Sequence, residues 1–133
     1  MTRQNIELLT KDLSCRIPYG VIVNINGISN VKLTSVSWYG EVGVDDGSTY
    51  LYPISEVKPY LFPLSSMTEE EKKEYYNLCI EEEREEREFG EWITRVYYHN
   101  TIESIDWLTK NHFDYRGLIP MGLANDATKL NIY

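Results

Sequence analysis

Basic residues are the scarcest resource of this sequence: 13 Lys and Arg stand against 21 Asp and Glu, for a formal net charge of −8. Binding along a phosphate backbone needs clustered Lys and Arg, so this balance argues against a direct nucleic-acid groove. It suits a basic partner, or mimicry of the charge of a nucleic acid. Cysteine is nearly absent. Cys15 and Cys79 lie in different halves, form no metal-type spacing, and read as reduced thiols rather than a staple. With only His99 and His112 as imidazoles, three or four metal ligands would have to be gathered from distant segments. No metal site is expected.

Long apolar runs are missing as well. Residues 1–10 lack the hydrophobic core of a signal peptide, and no stretch approaches a membrane span. The expected setting is the cytoplasm, with no membrane partner. No phosphate-cradling glycine loop, nucleophile elbow or dinucleotide fingerprint occurs, so no cofactor is expected. The calcium-like fragment Asp45-Asp46-Gly47-Ser48 lacks the distal bidentate glutamate and reads as a turn.

What is present is an ordinary globular composition, 42% apolar and 26% charged, over 133 residues. That length fits one domain, or a small domain with an appendage. Eleven tyrosines and three tryptophans add bulky, amphipathic contact area.

Residues 5–13 read as a short helix or turn, ended by Ile17-Pro18-Tyr19-Gly20. Residues 21–26 alternate, placing Val21, Val23 and Ile25 inward, and Asn26-Gly27 marks a turn. Residues 31–38 form the next strand. Its apolar positions change parity between Leu33 and Val36, which predicts a bulge. A short strand over 41–44 puts Val42 and Val44 on one face, and a further strand spans 48–52 until Pro53 forces an edge. Residues 54–66, punctuated by Pro59 and Pro63, read as an extended, apolar strip lying against the sheet.

Thr68-Glu69-Glu70-Glu71 is a capping-box signature, with three carboxylates at the positive end of a helix dipole. Continued at 100° per residue, Tyr75, Leu78, Cys79, Phe89, Trp92, Ile93, Val96 and Tyr97 share a stripe with Glu82, Glu85 and Glu86. Carboxylates avoid burial without partners. The stretch therefore reads as one long helix with an exposed acidic middle, or as a helix broken near Gly90. Asn100-Thr101 then stops one element and caps a second amphipathic helix bearing Ile102, Ile105 and Leu108. Gly117 and Gly122 bracket an apolar loop, Leu118-Ile119-Pro120-Met121, and residues 125–133 are weakly specified.

Two blocks carry a resemblance. One is Lys58-Pro59-Tyr60-Leu61-Phe62-Pro63-Leu64-Ser65-Ser66-Met67-Thr68-Glu69-Glu70-Glu71-Lys72-Lys73-Glu74, with Glu56 and Val57 ahead of it. The other runs Asp106-Trp107-Leu108-Thr109-Lys110-Asn111-His112-Phe113-Asp114-Tyr115-Arg116-Gly117-Leu118-Ile119-Pro120-Met121-Gly122-Leu123-Ala124. Together they resemble a group of short uncharacterised proteins of gut Bacteroidales genomes, their prophages and their phages. The resemblance implies a phage-related, bacterial cytoplasmic setting and carries no activity, cofactor or site residue with it.

Among chemically mixed segments, residues 112–117 stand first. His112 has the chemistry of a proton shuttle, Asp114 of its orienter, and Arg116 of an anion ligand. The competing reading has Asp114 and Arg116 capping a turn and a helix end, with Phe113 and Tyr115 packed inward. The aromatics Trp38, Tyr39, Tyr50, Tyr52 and Tyr60 have the character of a peptide groove or of a small core.

The sequence thus predicts an α+β protein. A small antiparallel sheet, curled into an SH3-like barrel or left as a meander, is followed by a long acidic helix and a short helical C-terminal segment. Residues 1–64 would form the β domain with a short N-terminal helix, and 65–133 a helical region packed on it. The expected function is non-catalytic protein binding through Trp38, Tyr39, Tyr50 and Tyr52, or through Glu82, Glu85 and Glu86. The alternatives are an acidic nucleic-acid mimic that inhibits a host defence or DNA-binding protein, a virion component, and a small enzyme using His112 and Arg116.

Overall fold

The computed structural model describes residues 1–27 and 29–133. The chain divides into two compact units, Met1–Ser66 with Thr109–Tyr133, and Met67–Leu108. Residues 109–133 therefore belong with the N-terminal sheet, across the boundary drawn at 64/65.

In the first unit, helix α1 spans Arg3–Arg16, longer at both ends than the pattern over 5–13 implied. The Thr2 hydroxyl caps it by accepting the Asn5 amide at 3.1 Å. Leu9, Asp12, Leu13 and Arg16 recur at helical spacing and are all fully buried. A short 3-10 turn, Ile17–Tyr19, follows, and Gly20 (φ 70°) closes it by donating its amide to Ile17 O.

Strands β1 (Ile22–Ile25), β2 (Ser29–Val36), β3 (Glu41–Val44) and β4 (Leu51–Pro53) run as an antiparallel meander. Val21, Val23 and Ile25 are buried, as their alternation requires. The bulge expected in β2 lies between Leu33 and Ser35. Opposite it, a Cβ on Gly43 would lie against the Ser35 hydroxyl and force that side chain to move. β4 is an edge strand ending at Pro53. Among the described residues no pairing joins β4 to the far end of the sheet, so the sheet is an open meander and not a closed barrel.

The strip at 54–66 is a correction. Its Val57–Pro63 segment is strand β5, an internal strand antiparallel to β1, rather than a linker laid on the sheet. Pro59 is tolerated there for a geometric reason. The Asn26 amide donates to Glu56 O at 2.9 Å, so even-numbered β5 residues turn their polar groups toward β1. The N–H that Pro59 lacks belongs to the other edge.

Two short parallel additions complete the sheet, β8 (Phe113–Asp114) and β9 (Asn125–Asp126), both on β5. The loop between them sends Leu118, Leu123 and Ala124 into the core with Leu9, Leu13, Val23, Leu33 and Leu61. Ala127 is fully buried, so residues beyond 125 are better specified than their sequence suggests.

In the second unit, helix α2 spans Glu69–Leu78 with the predicted capping box intact: Thr68 Oγ1 accepts from Glu71 N, and Glu71 Oε1 from Thr68 N. It stops at the Cys79 C-cap. The long acidic helix does not form. Residues 80–98 are an antiparallel hairpin of β6 (Ile80–Glu86) and β7 (Trp92–Tyr98), so the predicted helix survives only as far as Leu78. Glutamate favours helix, but Trp92-Ile93-Thr94-Arg95-Val96-Tyr97-Tyr98 is a run of β-branched and aromatic residues. Pairing with it holds the glutamates extended, and the turn at Gly90 (φ 76°) makes the reversal.

Helix α3 (Ile102–Lys110) opens with a reciprocal cap: Thr101 Oγ1 accepts from Ser104 N at 3.0 Å, and Ser104 Oγ from Thr101 N at 2.7 Å. The Thr101 hydroxyl also donates to Leu78 O, tying the start of this helix to the end of α2.

Candidate functional site

In a strand, side chains alternate between faces, so Glu82, Glu85 and Glu86 cannot share one. On one hairpin face Glu82 lies opposite Val96, Arg84 opposite Thr94 and Glu86 opposite Trp92. On the other, Glu81 lies opposite Tyr97, Glu83 opposite Arg95 and Glu85 opposite Ile93. The predicted acidic face is therefore split. One of its carboxylates is also paired, with Arg95 Nη2 3.5 Å from Glu85 Oε2, and on the same strand Glu81 Oε2 lies 3.0 Å from His99 Nε2.

The hairpin carries a second feature that the helical reading hid. At its tip, Phe89 is 100% exposed and sits at φ 65°, a left-handed conformation that costs a residue with a Cβ about 1–2 kcal/mol. Gly90 follows, and Arg87 N donates to Glu91 O at 2.6 Å to close the ladder beneath them. A concavity of about 640 Å³ lies on the sheet unit, but the one at this tip is more distinctive: about 530 Å³, lined by Glu85, Glu86, Arg87, Glu88, Phe89 and Glu91. An exposed ring among four carboxylates fits a partner with an apolar contact flanked by positive charge. The signal missed in the sequence is the β-branched and aromatic run over 92–98, which at period two makes Gly90 a hairpin turn rather than a helix break.

Four of the five predicted aromatics form two separate ring pairs, while Tyr60 is buried in β5 and donates its hydroxyl to Asn30 Oδ1. Trp38 (91% exposed) meets Tyr39 edge-on at 5.6 Å in the turn before β3. Tyr50 and Tyr52 meet at 5.0 Å alongside β3, Tyr52 lying in β4 opposite Val42. The Tyr52 hydroxyl donates to Asp46 Oδ2, and that bond raises its pKa. Among the described residues no ring contact joins the two pairs into one groove. Asp46 also accepts from Ser48 N and Oγ, which lowers its own pKa and makes 45–48 a turn.

Residues 112–117 are committed to structure. Asp114 accepts the amides of Leu118 and Ile119 at 2.8 and 2.9 Å, so it caps a turn and does not orient His112. Arg116 Nε donates to Asp12 Oδ1 at 3.2 Å, and not to a helix end. Asp12 also takes Arg16 Nε at 2.8 Å, and Arg16 Nη2 reaches Phe113 O at 2.8 Å. The Tyr115 ring lies 5.1 and 5.2 Å from the Arg16 and Arg116 guanidinium carbons. Both Asp12 and Arg16 are fully buried. A pair so enclosed clips α1 to β8 rather than serving a substrate.

His112 takes φ 64° after α3 and stacks on Tyr133 at 3.7 Å between ring centroids. Burial, with the Arg16 charge second, pushes its pKa down to about 4. Burial pushes the Tyr133 phenol up to about 12. Its hydroxyl accepts Ile22 N at 2.9 Å and donates to Tyr60 O at 2.8 Å. Those two backbone groups would face each other if the β1–β5 register continued one pair further. Tyr133 thus wedges the ladder open and satisfies both.

Cys15 is exposed and Cys79 buried, and both are free thiols. Among the described residues no group of three His, Cys, Asp or Glu is placed to hold a metal ion. No helix among them is long and apolar enough to cross a membrane. No protein-family model, curated protein or solved structure matches the chain.

Proposed function

We propose that this chain is a non-catalytic protein-binding module, an accessory protein of phage or prophage type acting in the bacterial cytoplasm, and that the tip of the β6–β7 hairpin is its recognition element. The observation that carries this reading is Phe89: a fully exposed aromatic in a left-handed backbone, set in an acid-lined concavity. Strain retained at an exposed position is a mark of function when nothing in the fold needs the side chain. The partner is a basic protein offering an apolar seat for the ring and Lys or Arg for the glutamates. Aromatic anchors dominate such contacts, and the surrounding charges govern association rate and salt dependence.

The test separates binding from folding. Asparagine tolerates the left-handed region, so Phe89→Asn is expected to leave stability unchanged or raise it by about 1 kcal/mol. The same change is expected to abolish capture of a basic partner from host lysate. Equal capture by wild type and variant, at low and high salt, overturns the reading.

A second reading, the nucleic-acid mimic, draws on Glu81, Glu83 and Glu85, which recur on one face at roughly 6.8 Å intervals. Arg95 and His99 interrupt that row, so it is the weaker of the two. Binding that DNA competes away would favour it.

A further inference from the structure

The two outer edges of the hairpin differ in chemistry. In β6, five of seven residues are glutamate, whereas β7 (Trp92–Tyr98) contains no carboxylate and one arginine. Charge on an edge strand blocks strand addition, and β7 lacks that protection. Trp92, Val96 and Tyr98 on one of its faces are 62%, 46% and 65% exposed, and Tyr97 on the other is 41% exposed. A two-stranded hairpin with such faces is marginal in water, and further strands are what stabilise it.

Backbone parity shows which groups are free. Arg87 N donates to Glu91 O, and His99 N to Cys79 O, so odd-numbered residues of β7 spend their polar groups on β6. The N–H and C=O groups of Trp92, Thr94, Val96 and Tyr98 face outward. Among the described residues no strand pairs with that edge.

We infer that the occupant of this edge is β7 of a second copy of the chain, antiparallel and centred on Arg95, giving a four-stranded sheet with the two β6 strands outermost. That register engages every free backbone group on the edge, Trp92 against Tyr98 of the second copy and Thr94 against its Val96. It makes about eight hydrogen bonds, two for each pair. It also sets Trp92 beside Tyr98 and Ile93 beside Tyr97, the aromatic and β-branched pairs that stabilise sheets.

The charges favour this pairing over its competitors. One like-charge contact arises, Arg95 against Arg95 of the second copy, and each arginine already has Glu83 opposite and Glu85 at 3.5 Å. Pairing β6 with β6 would instead oppose Glu83 to Glu83 and Glu81 to Glu85 twice over, three repulsive contacts against two attractive ones between Glu82 and Arg84. Pairing β6 with β7 is heterologous and leaves an edge free at each end, an arrangement that does not close. The Phe89 tip takes no part, so this pairing and the binding of a basic partner are independent.

The test uses the full chain. Sedimentation equilibrium is expected to show dimers, and Thr94→Pro, which removes one outward N–H and leaves the β6–β7 bonds intact, is expected to weaken dimerisation at least about tenfold. In the centred register Arg95 forms a non-hydrogen-bonded pair with its counterpart, with Cα atoms about 4.5 Å apart, within disulfide range. Arg95→Cys in a Cys15→Ser background is therefore expected to crosslink into dimers under mild oxidation. A protein monomeric at about 100 μM, including one that takes up a foreign β-strand peptide instead, overturns the proposal. So does a dimer that Thr94→Pro leaves intact, or one that Arg95→Cys fails to crosslink. Phe89→Asn is expected to leave the dimer untouched, which separates failure here from failure of the partner-binding function.

Discussion

The sheet unit and the hairpin obey different rules. In the first, Leu9, Leu13, Val21, Val23, Val42, Val57, Leu61 and Leu118 are wholly removed from water, and an ion pair is buried with them. In the hairpin no residue between Ile80 and Tyr98 is buried. One region is held by close packing, whose loss is costly. The other rests on its ladder, a Gly90 turn and cross-strand pairs worth a few tenths of a kcal/mol each. Binding elements are drawn from the less stable parts of a structure, because their surfaces must stay available. The two regions thus draw on different residues, one on its buried core and the other on its ladder.

The contrast can be broken most sharply at Asp12. Asp12→Ala leaves the buried Arg16 guanidinium without its carboxylate and strips Arg116 of its acceptor. A loss of about 3–5 kcal/mol is expected in chemical denaturation, with the sheet unit as the reporter. If the packed and ladder-held regions are as distinct as argued, amide exchange in β6 and β7 changes far less than exchange in β1 and β5.

A smaller effect should come from His112. Its folded pKa of about 4 lies below the ordinary 6.5, so between those values the unfolded chain holds a proton that the folded chain does not. Stability is therefore full above about pH 6.5 and declines as pH falls toward 4. The ring is half-buried, and with solvent screening the change is on the order of 1–2 kcal/mol. His112→Phe keeps the stack on Tyr133 and is expected to flatten melting temperature against pH in that window; an unaltered slope would place the titration elsewhere.

The smallest effect belongs to the hairpin. Arg95→Ala removes an exposed pair with Glu85 at 3.5 Å, and global stability should shift by less than about 1 kcal/mol. A larger loss would mean that the ladder contributes more to the fold than its exposure implies.

Several elements were legible from residue order because their signals are local. The Thr68–Glu71 box, the Thr101 cap, the alternation of Val21, Val23 and Ile25, and the β2 bulge all depend on neighbours a few positions apart. The candidate site was legible only in composition. Glutamates at 82, 85 and 86 share a stripe at helical period, and at period two they do not. Propensity favoured the helix, and Gly90 was the one nearby residue that opposed it. The deciding influence was the strand at Trp92–Tyr98, which pairs with the glutamates. Phe89 was placed on a buried stripe by that choice, although it is the most exposed aromatic in the chain.

By itself, then, the order of residues determined where α2 and α3 begin, which β1 side chains turn inward and where β2 bulges, because each follows from backbone geometry and contacts within a few residues. Tertiary structure alone decided that Val57–Pro63 is an internal strand, that Arg16 and Asp12 are buried under residues 113–116, and that the acidic run is half of a hairpin. Those outcomes depend on partners brought from far along the chain, and pairing energy between distant segments outweighs the modest preference of any one residue for helix or strand.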